Sequence, residues 1–459
     1  MADNMDLLIV GAGPAGLGAA ISAQACGLDV AVADEYAAIG GQIFRNIHLP
    51  CIEHVLDKRT LEIGRTLVEN FEKSGVRFHP NTTVWGMEGS EIFCKSLTEV
   101  KKISASKVLF ATGGYERPVP FKGWTLPGVY TAGAAEMLFR SAGELPTRKS
   151  PVVLCGNGPL LMALAVHLIE HGVPISAWLD TGKFSSKFSA LAYLGRIFHD
   201  MPYFKHGMHL ALEILKANVP IITGVTNIEA HGGEFVEKVV FTKNGKTHEL
   251  AASTLIRHEG VIPRIQIPDS LGMDLAWDTV QRYWYPKTDG FGRTSLNNVY
   301  ITGDNSFVHG GEAAIWKGYA CGYAIAEDLG IVPDSEVKEK SQEYVRKMEL
   351  LCRVREYLRH VFAPNPEIFN VSDDTIICRC ECVTAGEVRQ AVKEGFTNPR
   401  EVKIATRAGM GTCQGRSCGV SLAEIIAQET GNKVEQVGIL KSRQPFEPVF
   451  LADYCALHA

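Results

Sequence analysis

The strongest constraint on the fold is a strand, a glycine-rich turn and a helix near the start of the chain. Leu7–Val10 is wholly apolar, and the sequence GAGPAG at 11–16 follows it directly. Gly11 permits the tight turn, Gly13 lets a pyrophosphate approach the backbone, and Gly16 lets the helix pack closely on the strand. The helix N-terminus then offers free N–H groups and a positive dipole end to phosphates. The pattern predicts a dinucleotide-binding unit.

A carboxylate at the expected distance completes this unit. Val30–Ala33 predicts the second strand, and Asp34 and Glu35 follow it, about 20 residues after the glycines. A carboxylate there would bind a ribose hydroxyl, and the sequence does not choose between the two acids. Pro14 and Ala15, which open the helix, are further expected contacts of the nucleotide.

Three later segments favour FAD over NAD as the ligand. They are the sequence GGQ at 40–42, the sequence ATGG at 111–114 after an apolar strand, and a strand ending in Gly303-Asp304 with GGEAA at 310–314 soon after. Together and in this order they resemble the two-dinucleotide-binding-domain flavoproteins, the group that includes glutathione and thioredoxin reductases.

This resemblance implies roles for individual residues. Asp304 would contact the ribityl chain, the helix after it would point its N-terminus at the flavin, and backbone groups of Val84 would bind the adenine. The other expected contacts are Gly41, Gln42, Arg45, Thr112, Gly113, Gly303 and Gly311. The implied fold is α/β, with a Rossmann-like NAD-type domain inserted into the FAD domain.

A second apolar strand and turn, with the sequence GNGPLL at 156–161, would form the inserted unit. Leu161 replaces the third glycine and would push the helix off the strand or occupy space near the phosphates. Asp180 ends the next strand and is a possible ribose partner. Two alternatives stay open: a domain that binds NAD(P)H, or a retained domain that is structural or holds another nucleotide. Thioredoxin-reductase chemistry is excluded, because it needs a CxxC disulfide near the flavin and this chain has none.

Five of the twelve cysteines crowd between residues 378 and 418. Cys378 and Cys380 form a CxC pair, and after 32 intervening residues Cys413 and Cys418 form a CxxxxC pair. Four thiolates of this kind suit a [2Fe–2S] cluster, with each pair holding one iron. A four-cysteine zinc site is the competitor, although zinc ligand pairs are usually two to four residues apart. Cys382 is left out, because the CxC turn already supplies two sulfurs.

The stretch 336–362 is charged and helical, and Pro364 and Pro366 end it. The predicted domains are a first part of the FAD domain at 1–118, an inserted NAD-type domain at 119–284, a second part of the FAD domain at 285–335, a helical linker at 336–366, and a small helical [2Fe–2S] domain with a C-terminal tail at 367–459.

The segments CRCECVTAGEV and ATRAGMGTCQGRSC resemble the bacterioferritin-associated-ferredoxin type of [2Fe–2S] domain. Fused behind a flavoprotein, this domain resembles the alpha subunits of heteromeric amine dehydrogenases. That family includes the octopine and nopaline (opine) oxidases, D-hydroxyproline dehydrogenase and the B subunit of hydrogen cyanide synthase. The segments GGQIFR and ATGGYERPVPF carry the same likeness, which covers residues 5–455. Cys382 is a departure, since a Glu or similar residue is expected there.

The resemblance implies a beta subunit that resembles glycine and sarcosine oxidases and carries the substrate site, an FMN between subunits, and a small third subunit. The implied reaction removes hydride from the carbon next to a secondary amine, and water hydrolyses the resulting imine. Electrons then pass through flavins and cluster to an acceptor. No acid–base catalytic residue is assigned to this chain. His309 is expected near the flavin, although a structural role is the plainer interpretation.

Two other functions are kept: a stand-alone NAD(P)H-dependent FAD and [2Fe–2S] reductase, and a non-enzymatic iron–sulfur storage or sensor protein. A net charge of −5 gives no reason to expect nucleic acid as a partner. No signal peptide and no apolar run of about 18 residues is found. The expected location is the cytoplasm, with peripheral attachment to the inner membrane through an electron acceptor left open.

Overall fold

The structure is a computed structural model that describes residues 4–54, 56–142 and 151–457. Seven strands form its first sheet: β1 (Asn4–Val10), β2 (Val30–Ala33), β3 (Arg77–His79), β4 (Thr83–Glu88), β5 (Glu91–Lys95), β6 (Val100–Phe110) and β19 (Val299–Ile301). They run in the order β3-β2-β1-β6-β5-β4, and β19 also pairs with β6. The pairs among β3, β2, β1, β6 and β19 are parallel, and those joining β4, β5 and β6 are antiparallel. Leu7, Leu8 and Ile9 are fully buried, as expected for a parallel strand covered on both faces.

Helices cover this sheet, and two of them pack unusually closely. The helices are α1 (Pro14–Ala25), α2 (Gly41–Phe44), α3 (Lys58–Ser74) and α9 (Gly311–Asp328), with short 3-10 turns at Pro50–His54 and Gly303–Asn305. A Cβ at Gly318 of α9 would lie 2.1 Å from the Ala15 carbonyl oxygen, and one at Gly322 would lie 2.5 Å from that of Ala19. Only glycine therefore allows α9 to approach α1, which places the N-termini of both helices on one cavity.

The second unit combines a parallel and an antiparallel sheet. Its strands are β8 (Val129–Thr131), β9 (Val152–Gly156), β10 (Ile175–Asp180), β11 (Ile221–Thr223), β12 (Val225–His231), β13 (Lys238–Lys243), β14 (Lys246–Ala251) and β15 (Thr254–His258). Five of them form the parallel sheet in the order β11-β10-β9-β15-β8, beside the antiparallel sheet β12-β13-β14. The helices are α4 (Ala132–Ala142), α5 (Pro159–Glu170), α6 (Phe184–Ala190) and α7 (Met201–Lys216), with a 3-10 helix at Leu191–His199.

Short antiparallel pairs connect the two units. β7 (Gly114–Glu116) pairs with β16 (Val261–Pro263), and β17 (Leu275–Asp278) pairs with β18 (Tyr283–Pro286), with α8 (Gln266–Ser270) between them in sequence. The chain thus leaves the first sheet after β6 and returns to it at β19. The α/β class with two Rossmann-like units is confirmed, while the domain boundaries at 118, 284, 335 and 366 stay predictions.

A long helix leads to a small C-terminal module with its own apolar core. Its elements are α10 (Asp334–Val361), a 3-10 turn (Pro366–Phe369), β20 (Ile376–Cys378), β21 (Val383–Thr384), α11 (Ala385–Lys393), α12 (Pro399–Thr406), α13 (Gly419–Thr430), α14 (Val434–Val437) and α15 (Leu451–Ala456). A capping box opens α11, because the Thr384 side chain accepts from the Glu387 N–H and the Glu387 carboxylate accepts from the Thr384 N–H. Within the described chain, no helix combines the length and apolar character that crossing a membrane requires.

The C-terminal tail returns to the first sheet and covers its edge strand β4. The Gln444 side chain accepts from the Met87 N–H at 2.7 Å and donates to the Met87 carbonyl at 2.9 Å. The Phe446 N–H donates to the Trp85 carbonyl at 2.6 Å. These bonds satisfy backbone groups that an open edge would leave exposed.

Candidate functional site

The three glycines of the first turn meet different surroundings. Gly11 has a φ of +111°, and a Cβ there would lie 2.5 Å from the Ala111 carbonyl oxygen. A Cβ at Gly16 would lie 1.9 Å from the Gly11 carbonyl oxygen. At Gly13 the nearest atom would be 3.8 Å away, on Gly41. Protein atoms therefore fill the space beside Gly11 and Gly16. The space beside Gly13 is open, and a ligand could approach the backbone there.

A cavity of about 710 Å³ lies against this turn and the N-terminus of α1. Fifteen of the sixteen predicted cofactor contacts line it: Gly11, Gly13, Pro14, Ala15, Asp34, Glu35, Gly41, Gln42, Arg45, Val84, Thr112, Gly113, Gly303, Asp304 and Gly311. Gly16 is the exception, because it faces the turn rather than the cavity. Whether these residues bind the cofactor stays a prediction, but the fold brings them together around one cavity.

Asp34 stabilises the first glycine turn by hydrogen-bonding to its backbone. One of its carboxylate oxygens accepts from the Ala12 N–H at 2.6 Å, and the other accepts from the Tyr36 N–H at 2.9 Å. Asp34 thereby fastens the end of β2 to the glycine turn. Glu35 is exposed on the cavity wall beside it.

Asp304 shapes the opposite end of the cavity. Its carboxylate accepts from the backbone N–H groups of His309 and Gly310, both at 2.9 Å, and so fixes the loop that opens α9. Burial, and then the charges of Lys317, Arg355 and Arg359, hold the pKa of His309 well below its usual range. His309 is therefore an uncharged imidazole in the cavity wall.

Several buried donors around the cavity lack partners within the described chain. They are Nε and one terminal nitrogen of Arg45, Nε of Arg264, Nε of Arg359, Oγ1 of Thr112 and Nδ1 of His309. The Arg45 guanidinium also stacks over the Tyr36 ring at 3.6 Å. Buried polar groups are normally hydrogen-bonded, so this set fits a bound molecule with many acceptor atoms and negative charge. A flavin dinucleotide has both.

The second turn differs from the first where a phosphate would approach. Gly156 has a φ of +112° and packs against the His258 carbonyl, as Gly11 packs against that of Ala111. At Gly158, however, a Cβ would lie 2.9 Å from the His258 ring, so this imidazole stands over the glycine. Leu161 is fully buried in the core of the second sheet. The second turn therefore differs from the first in having a side chain, the His258 imidazole, over its second glycine.

Charged groups around the second turn are already paired. Glu116 accepts from the Gly133 N–H at 2.6 Å and contacts Nδ1 of His258 at 2.6 Å. Asp180 accepts from the Gly182 N–H and from Lys187, both at 2.9 Å. Asp180 therefore does not fasten its strand to the glycine turn as Asp34 does, and the Asn157 N–H donates to the His258 carbonyl instead.

Arg140 joins the second unit to the flavin side of the cavity. Its guanidinium donates to the carbonyls of Ile43 at 2.8 Å and Gln42 at 3.3 Å. Glu136 holds it through bonds of 3.1 and 3.0 Å and also contacts His167. This chain of contacts fixes α4 against the GGQ segment.

The four predicted cluster cysteines lie together at one end of the C-terminal module. Cys418 hydrogen-bonds to Cys378, and Cys380 to Cys413. This differs from the predicted sharing of irons, in which Cys378 goes with Cys380 and Cys413 with Cys418, and that sharing stays a prediction. The bond from Cys418, together with N–H groups that include that of Gly409 at 3.5 Å, lowers the pKa of Cys378 to about 5. A thiolate there has the character of a metal ligand.

The cysteine loops are packed so tightly that one position accepts only glycine. A Cβ at Gly411 would lie 2.1 Å from the Cys380 Cβ. Cys382 points away and is exposed, with Sγ 3.8 Å from the Arg379 carbonyl. Among the residues that the structure describes, no group of three or more His, Cys, Asp or Glu is spaced as a preformed metal site. Among the described residues these thiols contact one another in two pairs, Cys378 with Cys418 and Cys380 with Cys413.

Arg416 connects the cysteine loop with the cavity. It lies between Cys413 and Cys418 in sequence and lines the cavity wall. Its guanidinium donates to Glu447 at 2.6 Å and to the Phe446 carbonyl at 2.7 Å, while its own carbonyl accepts from Tyr115 at 3.4 Å. The cysteine cluster and the cofactor cavity are therefore neighbouring sites.

Sequence reasoning missed several cavity residues that come from distant segments: Tyr203, His258, Arg264, Tyr283, Arg355, Arg359, Arg416 and Glu447. None lies in a recognisable nucleotide motif. The helix predicted over 336–362 did not identify Arg355 and Arg359 as cavity residues.

Comparisons with known proteins agree with this architecture. Residues 5–318 match the family model "Pyridine nucleotide-disulphide oxidoreductase", and residues 373–458 match "Sarcosine oxidase A3 domain". The opine oxidase A-subunit from Rhizobium meliloti is 35% identical, covering 98% of this chain and 87% of that protein. The opine oxidase A-subunit from Agrobacterium tumefaciens (strain Ach5) is 34% identical, covering 100% of this chain and 92% of that protein. Among solved structures, L-proline dehydrogenase from P. horikoshii has a TM-score of 0.70 at 20% identity, covering 99% of this chain and 80% of that one.

Proposed function

Because the chain belongs to the opine oxidase A-subunit family and is an oxidoreductase of the pyridine nucleotide-disulphide oxidoreductase type, we propose that it is the FAD- and [2Fe–2S]-containing alpha subunit of a heteromeric dehydrogenase. The proposed donor is an opine or imino acid of the octopine, nopaline or hydroxyproline class, oxidised at a CH–NH bond. The observation that carries the proposal is the adjacency of two sites: the cavity at the first glycine turn and the four-cysteine cluster, with Arg416 in both.

FAD is the cofactor that the family supports for the first unit. The open face at Gly13 and the N-terminus of α1 would receive its pyrophosphate. Asp34 or Glu35 would bind the ribose, backbone groups of Val84 the adenine, and Asp304 the ribityl chain. When bound, the flavin supplies two-electron and one-electron chemistry. The residues of this chain would orient the flavin. Burial lowers the pKa of His309, so this imidazole is neutral and adds no positive charge to the cavity wall.

Cys378, Cys380, Cys413 and Cys418 would hold the [2Fe–2S] cluster. Support comes from their convergence, from the backbone N–H groups directed at Cys378, and from the match of residues 373–458 to a sarcosine oxidase domain. Backbone donors to sulfur stabilise the charge of cluster ligands. A four-cysteine zinc site is the competing assignment.

The substrate site is proposed to lie on another chain. The relatives are named as A-subunits, and this chain spans 43% of the sarcosine oxidase alpha chain from Rhizobium meliloti (strain 1021). We expect a beta subunit that resembles glycine and sarcosine oxidases, an FMN at the interface and a small third subunit. Electrons would pass from the beta subunit through the flavins and the cluster to an acceptor, with peripheral attachment to the inner membrane.

A stand-alone NAD(P)H-dependent reductase is the second candidate. One observation favours it: the cavity reaches Asn157 and Gly158, and the buried Nδ2 of Asn157 has no hydrogen-bond partner within the described chain. His258 over Gly158 and Leu161 in the core weigh against a dinucleotide there.

Anaerobic mixing of the purified chain with NADH and NADPH separates the two candidates. The proposal expects no rapid loss of the oxidised flavin absorbance with either nucleotide, and reduction when the complete complex receives an opine or a hydroxyproline. Rapid loss of the oxidised flavin absorbance when the isolated chain is mixed with a nicotinamide nucleotide would contradict the proposal. A purified chain without flavin absorbance would instead favour the storage or sensor role.

The cluster assignment is tested by Cys380→Ser, with Cys382→Ser as the matched control on the same loop. Cys380→Ser should abolish the EPR signal of the reduced cluster while FAD stays bound, and Cys382→Ser should change neither. Zinc in place of iron, measured by metal analysis of the wild-type chain, would contradict the assignment. Loss of FAD together with the cluster would mean that the two sites do not form independently.

A further inference from the structure

Arg355 places an unpaired positive charge at the Asp304 end of the cavity. This arginine lies on α10 and lines the cavity wall. Its guanidinium stacks over the Tyr203 ring, with Cζ 3.9 Å from the ring centroid, and Nη1 donates to the Tyr203 hydroxyl. No carboxylate of the described chain pairs with it, and Glu312, at the start of α9, is bound by Arg59 at 2.9 Å instead. A guanidinium stays charged at any ordinary pH, so this half-buried charge is best satisfied by an anion.

Two other arginines of the cavity wall differ from Arg355 in their surroundings. Arg359, one turn along α10, pairs with Asp278 and with Glu356, so its charge is already balanced. Arg45 ends α2, which begins against the first glycine turn, where the pyrophosphate of a dinucleotide would lie. An oxidised flavin ring carries no net charge. A dinucleotide in this orientation therefore brings its negative charges to the Arg45 end and leaves Arg355 without a counter-ion.

Further hydrogen-bond donors lie at the same end of the cavity. The helix α9 begins at Gly311, and its N-terminus carries free N–H groups and the positive end of an 18-residue helix. A Cβ at Gly310 would lie 3.1 Å from Nη2 of Arg355, so the guanidinium and this helix end are neighbours. Nδ1 of His309 and Nε of Arg359 are buried and have no hydrogen-bond partner within the described chain. A charge, a helix terminus and two unsatisfied nitrogens thus lie together.

Apolar side chains line the cavity beside these donors. Leu358 lies three residues after Arg355 and shares its face of α10, and Phe362 follows the end of the helix. Both line the cavity, as does Val308. One unpaired cation matches a single negative charge, and the guanidinium fork matches the two coplanar oxygens of a carboxylate. Apolar neighbours fit an organic body better than a bare inorganic ion. These features together suit a small organic monocarboxylate.

We propose that Arg355, oriented by Tyr203, binds the carboxylate of a small organic acid at the Asp304 end of this chain's own cavity. The N-terminus of α9 and the unsatisfied nitrogens of His309 and Arg359 complete the site. The proposal goes beyond the proposed function, which places the donor site on another chain and assigns only FAD to this cavity. It makes the cavity a site for two ligands, a dinucleotide along the first glycine turn and an acid at the opposite end.

Isothermal titration calorimetry of the full chain, with the cofactors it carries when purified, tests the proposal. The probes are benzoate, its uncharged isostere benzamide, and acetate, which lacks the apolar body. Benzoate should bind more tightly than acetate and about 10-fold or more tightly than benzamide, because only the acid pairs with the guanidinium. Arg355→Gln should weaken benzoate binding by about 10-fold or more and leave benzamide binding unchanged. Tyr203→Phe, which removes the bond that orients the guanidinium, should weaken benzoate binding by about 3-fold.

The matched control is Arg353→Gln, because Arg353 is exposed on the same helix, donates to Nε2 of His199 at 3.3 Å and does not line the cavity. This variant should bind benzoate like the wild type. Flavin absorbance and thermal unfolding are measured on every variant.

The proposal is overturned if benzoate does not bind, if benzamide binds equally well, or if Arg355→Gln binds benzoate as tightly as the wild type does. It is equally overturned if Arg355→Gln loses its flavin while the flavin-loaded wild type binds no benzoate, because the guanidinium would then serve the cofactor. The comparison of benzoate with benzamide needs only the wild type, so it decides the question even if a variant does not fold. None of these outcomes depends on whether the chain oxidises an opine.

Discussion

The two glycine turns, at 11–16 and 156–161, begin alike and end differently. Gly11 and Gly156 have nearly the same φ, +111° and +112°, and each packs against a carbonyl of the neighbouring strand. At the second glycine, Gly13 opens on the cavity while Gly158 faces the His258 ring. At the sixth position, Gly16 is required by a 1.9 Å approach, whereas Leu161 is a core side chain.

This difference shows that a Rossmann-like turn can keep its backbone while a side chain comes to stand over its second glycine. The strand, the first glycine and the helix preserve the fold of the second unit, because they pack against protein. The second and third glycines serve the ligand and the closeness of helix to strand. In the second unit the His258 ring stands over the second glycine, and the core leucine Leu161 replaces the third. Four substitutions test this contrast between the two units. They are described from the largest expected effect to the smallest.

Gly16→Ala should have the largest effect. The new Cβ would meet the backbone oxygen of Gly11, which no side-chain rotation can relieve, so we expect the free energy of unfolding to fall by about 4 kcal/mol or more. Urea unfolding of the FAD-free chain measures it. Gly13→Ala, where the nearest atom is 3.8 Å away, is the control and should unfold like the wild type. Equal losses in both variants would mean that the two glycines do not differ as described.

Leu161→Ala tests the second turn. Removing a fully buried leucine side chain should lower the free energy of unfolding by about 3 kcal/mol. Leu160→Ala, at a half-buried neighbour, should cost about 1 kcal/mol. Because His258 still stands over Gly158, we expect neither variant to gain flavin reduction by NADH. A Leu161→Ala protein that NADH reduces would show that the leucine alone blocks the nucleotide.

Gly13→Ala should weaken FAD binding rather than folding. The methyl group would project where the pyrophosphate approaches the backbone, so we expect the FAD dissociation constant to rise by about 10- to 100-fold, or about 1.4–2.7 kcal/mol. Flavin fluorescence on dilution measures it. Unchanged affinity would imply that the pyrophosphate does not approach this turn.

His309→Asn addresses the one buried imidazole of the first cavity that lacks a hydrogen bond at Nδ1 in the described chain. Its pKa is lowered by burial in the folded state, so below pH 6.5 the unfolded chain binds a proton that the native chain does not. Stability should therefore fall with decreasing pH, by about 1.4 kcal/mol per pH unit from this residue. The variant should lose that part of the pH dependence between about pH 6.5 and 5.5. Identical slopes for both proteins would show that His309 becomes protonated in the fold.

Much of the architecture could be predicted because it depends on local pattern. The strand β2 has the predicted bounds, Val30–Ala33. The capping box at Thr384 needs only residues three apart. The predicted cofactor contacts line one cavity because glycine turns at strand ends meet at one edge of a parallel sheet.

The rest depends on contacts between distant segments. His258 lies about a hundred residues from the turn it covers, and its position follows from the pairing of β15 with β9. Arg416 lies on the cysteine loop, but its pairing with Glu447 comes from the path of the tail. Arg355 and Arg359 line the cavity because α10 packs beside it, which a single helix pattern does not reveal. In each case the tertiary fold, not the local sequence, selects the partner.

The bond between Gln444 and Met87 joins residues 357 positions apart, which has a consequence for biosynthesis. At typical translation rates, roughly 20–70 s separate the emergence of these two residues from the ribosome. Throughout that interval β4, which carries Val84, presents an uncovered edge to its surroundings. The nascent chain is then at its most vulnerable to chaperones, proteases and mispairing. Protection of this edge therefore depends on the last part of the chain to be synthesised, and a truncated chain would leave it open.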